Sequence, residues 1–325
     1  MRLAERHHEL ADGGTELADF HHEAFFYGDD DEFLAGAVPF LRDGLEAGEP
    51  ALVAVGRGRA EELRSELDGD AESIRFVDMA ELGRNPARII PAWQQFVDEY
   101  GGSGRPVRGI GEPVWPGRGA DEIDECQRHE ALLNHAFWDG PAWRLLCPYD
   151  SGALGDEVLE AARHSHAVVS GSWTSLDEDR DETIDPNEIS PFAGVLPGHP
   201  VDAAQFRFER RHLHEARALV GAAAEAAGLS PERRFDLVAA TGELTANSIL
   251  HGGGSGVLRF WREEATLVVQ VEDAGIIEGP LTGRVRPDPS QHNGRGLWMV
   301  NHLCDLAQVR SGEGGTTVRV RMSLA

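Results

Sequence analysis

The stretch from Thr241 to Gly254, TGELTANSILHGGG, carries three polar side chains at intervals of four residues. Glu243, Asn247 and His251 would lie along one stripe of an α-helix, because positions i, i+4 and i+8 share a face. A carboxylate can act as a general base, and a carboxamide oxygen can bind a hard cation such as Mg²⁺. The helix must end at the three glycines, where His251 would either cap it or belong to the site. The pattern predicts a site rather than a packing face.

Two later segments, EDAG (Glu272 to Gly275) and NGRGLWMVN (Asn293 to Asn301), suit the same task. Asp273 ends a β-rich run and precedes small residues, so its carboxylate can accept a hydrogen bond from an adenine amino group. Gly294 and Gly296 open a helix, whose first N–H groups and dipole can receive phosphates. Together with the polar stripe, these segments predict a site for a nucleotide and Mg²⁺.

The order and spacing of the segments resemble the GHKL, or Bergerat-fold, ATP-binding family, which includes gyrase, the Hsp90 chaperones, DNA mismatch-repair proteins and histidine kinases. Within this family, the region from about Val201 is most similar to the serine-kinase anti-sigma factors of the general-stress and sporulation type. ELTANSILH resembles their N box, DAG their G1 box, GRGLWMVN their G2 box and GGTTVRVRM (Gly314 to Met322) their last strand.

The resemblance implies ATP and Mg²⁺ as cofactors, with Glu243 as the catalytic residue and Asn247 as the Mg²⁺ ligand. The residues that it implies for cofactor binding are Asn247, Asp273, Gly275, Gly294, Gly296, Leu297 and Thr316. Between the G1 and G2 boxes lie Arg284 and Arg286. These arginines could pair with phosphates or with an acidic partner, but we expect ordinary solvated charge.

The implied function is a Ser/Thr kinase that phosphorylates a STAS-type anti-anti-sigma protein and holds a sigma factor inactive, as in stress responses. The family often dimerises through this domain, so a homodimer is a further expectation. Two alternatives stay open. Ile276 and Ile277 follow Gly275 where the family's G1 box reads D-x-G-x-G, which favours an ATP-binding anti-sigma module without phosphotransfer. The other alternative is a histidine kinase without its own phosphoacceptor hairpin, since one helix precedes the N-box helix.

Composition narrows the function classes. The 325 residues carry a net charge of −26, which disfavours nucleic acid and anionic membranes as partners. All 30 basic residues are arginines, so a Walker-A lysine and a Schiff-base lysine are excluded. Three distant cysteines, no apolar N-terminal segment and no apolar run long enough to span a bilayer predict a cytoplasmic protein.

The chain divides into four parts: an extension (1–19), a first domain (20–170), an acidic Pro/Gly linker (171–200) and a second domain (201–325). In the first domain, strand-like runs alternate with amphipathic helical stretches, which predicts an α/β fold with a parallel or mixed sheet. The second domain is expected to contain two helices, a hairpin, a Gly-headed helix and a closing hairpin. This order predicts an α/β sandwich with one helical layer on a mixed or antiparallel sheet.

The first domain resembles the MEDS sensory domain, mainly through YGDDDEF, GEPVW and CQRHEALLN. The resemblance implies a RecA/KaiC-like core without a phosphate loop and a small-molecule ligand. Glu112 and Trp115 follow a strand, where ligands bind in open α/β sheets, although a buried structural role is equally expected. Cys126, His129 and His135 have spacing that could bind a metal, but a packed cysteine and a surface histidine are the stronger expectation. We expect His21, His22, His164 and His166 to be solvated or capping residues.

Overall fold

The computed structural model describes residues 20–101, 105–137, 140–166, 168–171, 192–287 and 294–324. The predicted N-terminal extension and residues 172–191 of the predicted linker lie outside these ranges. Within the described residues, no helix combines the length and the apolar character needed to cross a membrane.

A six-stranded parallel sheet forms the centre of the first domain. Its strands are β1 (Phe20–Tyr27), β2 (Ala51–Val55), β3 (Ile74–Asp78), β4 (Val107–Gly111), β5 (Trp143–Asp150) and β6 (Val168–Gly171). They pair in the order β3-β2-β4-β5-β1-β6. The helices are α1 (Asp30–Glu46), α2 (Arg57–Leu67), α3 (Met79–Leu82), α4 (Ile89–Gly101), α5 (Ala120–Phe137) and α6 (Asp156–Ser165).

Both faces of this sheet are buried, as the strand residues show. In β2, Val53 and Val55 pack into one core with α1 and α2, while Leu52 and Ala54 pack into the other core with α4, α5 and α6. Every residue of β2 is therefore apolar and buried, which is the pattern of a strand covered by helices on both sides. The predicted α/β fold is confirmed.

An antiparallel sheet with one helical layer forms the second domain. Its elements are β7 (Ala204–Glu209), α7 (Leu213–Ala226), α8 (Pro231–Leu250), β8 (Ser255–Glu263), β9 (Thr266–Asp273), α9 (Arg295–Leu303), β10 (Leu306–Gly312) and β11 (Gly315–Ser323). The strand order is β10-β11-β9-β8-β7. All three helices contribute apolar residues to one core with the strands. The predicted α/β sandwich is confirmed.

The helix α8 carries the predicted polar stripe. Its sequence explains where the helix begins and how its buried hydroxyl groups find hydrogen-bond partners. Ser230 caps the helix by accepting a hydrogen bond from the Arg233 N–H, and Pro231 occupies the first turn. The hydroxyls of Thr241 and Thr245 are buried but satisfied, because each donates at 2.8 Å to the carbonyl four residues earlier. These two buried hydroxyls therefore fit the packed face of α8.

Three strands were not expected from the sequence. β1 and β6 flank each other in the first sheet, and β7 forms an edge of the second sheet. β7 is mostly exposed, with Phe208 as its one fully buried residue, so its apolar signal is weak. The end of the predicted linker also has structure: Phe192 is buried in the core of the second domain, and the Pro197 carbonyl accepts a hydrogen bond from Arg319 at 2.6 Å.

Candidate functional site

The N-box and G2-box residues meet where α8 packs on α9. A Cβ atom placed on Gly296 would lie 2.9 Å from Glu243 Oε2 and 3.1 Å from the nearest side-chain atom of Asn247. Glu243 and Asn247 are both partly exposed at this point. A side chain at this position would press on both, so glycine lets the predicted acid and carboxamide lie against the backbone of α9. The surface bordered by Glu243, Asn247 and Gly296 is here called the cleft.

Asp273, at the end of β9, is oriented by its neighbours. Its Oδ2 atom accepts the Ser248 hydroxyl at 2.6 Å, and its Oδ1 atom accepts the Gly275 N–H at 2.8 Å. A Cβ atom on Gly252 would lie only 2.3 Å from the Asp273 carboxyl carbon, so this glycine permits the close approach of the α8 terminus to β9. Residue 252, the first of the three glycines, is therefore a glycine for a steric reason. Ser248 follows Asn247 on α8, so the predicted Mg²⁺ ligand is next in sequence to the residue that holds the predicted adenine carboxylate.

The last strand supports the G1 segment through Thr316. Thr316 is paired with Asp273 in the β9–β11 register, and its hydroxyl donates to the Gly275 carbonyl at 2.8 Å. The same hydroxyl lies 2.7 Å from Ser311 Oγ, which accepts the Ile277 N–H at 2.9 Å. Ile277 also packs against the core of the second domain. At this position, where a glycine was expected, an apolar anchor therefore holds the start of the segment between β9 and α9.

The remaining predicted residues are placed as follows. Gly294 is the N-cap of α9 and has a positive φ of 90°, a conformation that glycine adopts without strain. Leu297 buries its side chain in the domain core, so only its backbone N–H, in the first turn of α9, could reach a ligand. His251 is exposed and is the C-cap residue of α8, as one of the two expectations proposed.

Residues 276–287, the described part of the segment between Gly275 and Gly294, are here called the lid and contact the first domain. Arg284 of the lid is buried and donates to Glu125 of α5 at 3.0 Å. The Asn301 side chain donates to the Gly283 carbonyl at 2.7 Å, and the backbone carbonyl of Asn301 accepts from the side-chain amide of Asn85 in the first domain at 2.9 Å. The expectation that Arg284 is a solvated charge is therefore wrong, because an acidic partner within the same chain takes it out of water. Arg286 is exposed.

Glu112 of the first domain lies at the carboxyl end of the parallel sheet, as the sequence predicted. It is 4% exposed, accepts the Tyr27 hydroxyl at 2.8 Å and lies 3.2 Å from Arg59 Nε. Burial raises the pKa of Glu112 to about 7, against the opposing effect of Arg59 and Tyr27. The Trp115 ring is covered by the Arg118 guanidinium at 4.1 Å. Both residues thus have structural partners, which leaves the ligand of this domain unassigned.

The structure confirms the packed cysteine of the first domain but corrects several of the histidine expectations. Cys126 donates its thiol to the Pro113 carbonyl at 3.2 Å, and it does not converge with His129 and His135 on a common point. The expectation of a surface histidine is wrong for His129, which is 1% exposed. His164 is exposed, as expected. His22 and His166, expected to be solvated or capping, are instead buried, with 2% and 4% of their surface exposed. Sequence spacing could not reveal this pair, because the two residues belong to distant elements.

The fold and the site together define a kinase-like ATPase domain attached to an α/β sensory domain. Residues 206–322 match the family described as histidine kinase-like ATPase domain, and residues 21–167 match the MEDS family, the methanogen/methylotroph DcmR sensory domain. The chain therefore consists of a MEDS domain followed by a histidine kinase-like ATPase domain, which confirms both resemblances. No curated protein matches the chain.

The solved structures that are similar to part of the chain include the following two. One contains the RsbU and RsbW domains of Rv1364c from Mycobacterium tuberculosis, with 18% identity over 37% of this chain and a TM-score of 0.29. The other is the histidine kinase AdeS from Acinetobacter baumannii, which is 13% identical. This match covers 38% of this chain and 69% of the AdeS chain, with a TM-score of 0.24. The match spans only 32% of the Mycobacterium tuberculosis chain.

Proposed function

We propose that the second domain binds Mg²⁺–ATP and phosphorylates a Ser or Thr hydroxyl on a STAS-type anti-anti-sigma protein. In the same proposal, the domain binds a sigma factor when that partner is absent, and the chain acts in the cytoplasm. The observation that carries the nucleotide site is the close approach of Gly296 to Glu243 and Asn247, beside the fixed carboxylate of Asp273. The match to the ATPase family supports the choice of ATP.

The residues at the cleft fit this ligand. Asn247 offers a carboxamide oxygen for Mg²⁺, a cation that neutralises phosphate charge when bound. Asp273 has each carboxylate oxygen occupied by one donor and retains capacity for another, as recognition of an adenine amino group requires. The exposed backbone at Gly294, ahead of α9, suits phosphates.

Phosphoryl transfer would use Glu243 as the base. Glu243 would accept the proton of the Ser or Thr hydroxyl while the hydroxyl oxygen bonds to the γ-phosphorus. The bond between the γ-phosphorus and the β–γ bridging oxygen breaks at the same time, and ADP leaves. The position of Glu243, one turn before Asn247 and beside Gly296, supports this role. The product would be a phosphoserine or phosphothreonine, which is stable in acid.

The first domain is proposed to gate the site through the lid. Arg284 cannot serve phosphates while Glu125 of α5 holds it in a buried ion pair. Leu281 of the lid also packs against the core of the first domain. A ligand that shifts α5 would therefore change how far the lid is free to close on ATP.

A second candidate function is an ATP-binding anti-sigma module without phosphotransfer. It is favoured by Ile277, which anchors the G1 segment to the core in place of a glycine and commits its N–H to Ser311. This function keeps the nucleotide and sigma-factor sites but predicts no labelled product.

Two measurements on the full chain test the proposal. Titration calorimetry with Mg²⁺–ATP should show binding by the wild type and its loss in Asp273→Asn and Asn247→Ala, while unchanged affinity in both variants would overturn the site. Incubation with γ-labelled ATP and a purified STAS protein should then give acid-stable label on the partner. Binding without label supports the second candidate function, and acid-labile label indicates histidine kinase chemistry.

A further inference from the structure

Four buried side chains with metal-binding atoms converge inside the first domain. They are His22 of β1, Glu130 of α5, Cys147 of β5 and His166, which follows α6. One ligand atom from each lies within 4.8 Å of all the others. Each residue is at most 4% exposed. The lid contact and the nucleotide cleft involve none of these residues, so the cluster needs its own explanation.

Hydrogen bonds around His22 fix which of its ring nitrogens carries a proton. The Asn134 amide nitrogen donates to the Ser165 carbonyl at 2.8 Å, so the Asn134 oxygen is the atom that faces His22 Nδ1, at 3.1 Å. Nδ1 must therefore be the donor, and in the neutral ring Nε2 directs its lone pair into the cluster. There it faces Glu130 Oε2 at 3.0 Å and Cys147 Sγ at 3.3 Å.

His166 is held in the same way, with its ring centroid 3.9 Å from that of His22. Its Nδ1 atom lies 2.7 Å from the Ala162 carbonyl, which can only accept, so Nδ1 carries the proton. The Nε2 atom points at Glu130 Oε2 from 3.3 Å, and the described structure gives that nitrogen no hydrogen-bond partner. Glu130 Oε1 is also buried without a partner.

The cluster thus brings acceptor atoms together at a point that calls for a cation. Two imidazole lone pairs face one carboxylate, and the thiol proton of Cys147 can satisfy only one of them. Histidines that bind metals commonly donate their other ring N–H to a carbonyl or an amide oxygen, which is the arrangement of both His22 and His166. A divalent ion at the centre would satisfy all four side chains at once.

We propose that His22, Glu130, Cys147 and His166 bind one Zn²⁺ ion inside the MEDS domain. Two imidazole nitrogens, a thiolate and a carboxylate oxygen form a four-ligand set that zinc accepts, and Cys147 would release its proton on binding. With one thiolate, Zn–N bonds of about 2.0 Å and a Zn–S bond of about 2.3 Å place tetrahedral ligand atoms about 3.3–3.5 Å apart. The closest observed pairs are 3.0–3.3 Å apart, and all four ligand atoms lie within 4.8 Å of one another, so small side-chain shifts would complete the tetrahedron.

The number and burial of the ligands indicate what the ion does. All four positions of a tetrahedral centre would be occupied by protein, which leaves no place for a substrate or an activated water. The ion would instead tie β1, β5, α5 and the end of α6 together. Glu130 and Glu125 both belong to α5. Metal binding would therefore also fix the position of the helix whose Glu125 holds the lid.

Cobalt titration of the full chain, purified without a histidine tag and stripped with a chelator, tests the proposal. The wild type should bind one Co²⁺ per chain and show a thiolate-to-cobalt charge-transfer band in the near ultraviolet, and Zn²⁺ should displace the cobalt. Cys147→Ser should lose the band, and its Zn²⁺ affinity should fall by at least about 10-fold. Cys126→Ser is the matched control, because Cys126 is equally buried but bonds to the Pro113 carbonyl, and it should keep the band.

A wild type without the band, or a band that survives in Cys147→Ser, would overturn the proposal. Circular dichroism decides whether Cys147→Ser is folded. If it is not, the double variant Cys126→Ser/Cys304→Ser leaves Cys147 as the only cysteine and replaces it in the test. That variant should show the band at full intensity, and its absence would contradict the assignment of Cys147 as a ligand.

Discussion

Arg284 and Glu125 form a buried ion pair across the two domains, with 3.0 Å between the guanidinium and the carboxylate. They are 159 residues apart in sequence. Arg310 of β10 donates to the other oxygen of Glu125 at 2.8 Å, so one carboxylate of α5 serves two arginines of the ATPase domain. A buried charge that loses its partner is costly, which makes this contact a strong constraint on the lid.

Glu125→Gln should therefore tighten Mg²⁺–ATP binding. Removal of the carboxylate charge frees Arg284 for the phosphates, and one added charge-assisted hydrogen bond corresponds to about a 10- to 150-fold lower Kd. The thermal midpoint should fall at the same time, because two guanidiniums lose their common partner. Calorimetry at a temperature where the variant is folded measures the Kd. Glu157→Gln, on the exposed side of α6, is the control and should bind as the wild type does.

The double variant Glu125→Gln/Arg284→Ala separates this explanation from a general loosening of the interface. It lacks the arginine that the phosphates would gain, so its affinity should return to the wild-type value. Equal tightening in the single and the double variant would show that Arg284 is not the group released.

Glu243→Gln should bind Mg²⁺–ATP normally and fail to transfer phosphate. The amide has nearly the same shape as the carboxylate beside Gly296 but cannot accept a proton from a hydroxyl, so turnover should drop by about 10²- to 10⁴-fold. Calorimetry and a single-turnover assay with a STAS protein give the two quantities. A variant that loses affinity and activity to the same extent would make Glu243 a binding residue instead.

Gly296→Ala should weaken ATP binding without weakening the fold. The new methyl group would lie 2.9 Å from Glu243 Oε2 and 3.2 Å from Asn247 Oδ1, so both side chains must move from the cleft. Alanine in α9 should leave the thermal midpoint equal or slightly higher, because it favours a helix by about 1 kcal/mol over glycine. Gly312→Ala is the matched control, since a Cβ atom there meets nothing within 4 Å. Equal affinities in the two variants would contradict the cleft.

The sequence predicted those parts of the site that lie on single elements. Glu243 and Asn247 share one turn of α8, and Gly294 and Gly296 open α9, so helical periodicity and glycine placement were sufficient. The edge strand β7 was not predicted, because an exposed strand has little alternation of apolar and polar residues. Local pattern therefore predicted where these residues lie when one helix or strand end supplies them, while their chemistry stays a prediction.

Contacts between distant elements could not be read in the same way. His22 and Cys147 are 125 residues apart, and they meet because β1 and β5 are neighbours in the sheet, an order that the sequence does not state. The same holds for Arg284 and Glu125. Conversely, Cys126 and His129 have suggestive helical spacing but do not converge on a shared ligand point.

Glu112 should make the stability of the protein fall as the pH rises from about 4.5 to about 7. Burial raises its pKa from 4.5 to about 7, with Arg59 and Tyr27 acting in the opposite direction and Asp150 adding to the increase. Below pH 4.5 the carboxyl is protonated in the folded and the unfolded chain. Between the two pH values only the unfolded chain ionises, so the free energy of unfolding falls by up to about 3 kcal/mol. Above pH 7 both states are ionised, and the free energy of unfolding does not fall further through this group.

Glu112→Gln removes this ionisation, so its thermal midpoint minus that of the wild type should increase between pH 4.5 and 7 and then level off. Glu99→Gln provides a control of opposite sign. Glu99 is exposed, and its hydrogen bond to Arg75 lowers the pKa of the carboxyl, so its ionised form stabilises the fold. The thermal midpoint of Glu99→Gln minus that of the wild type should therefore decrease as the pH rises through the range in which carboxyls ionise. A flat difference for Glu112→Gln would mean that Arg59 compensates the buried charge completely.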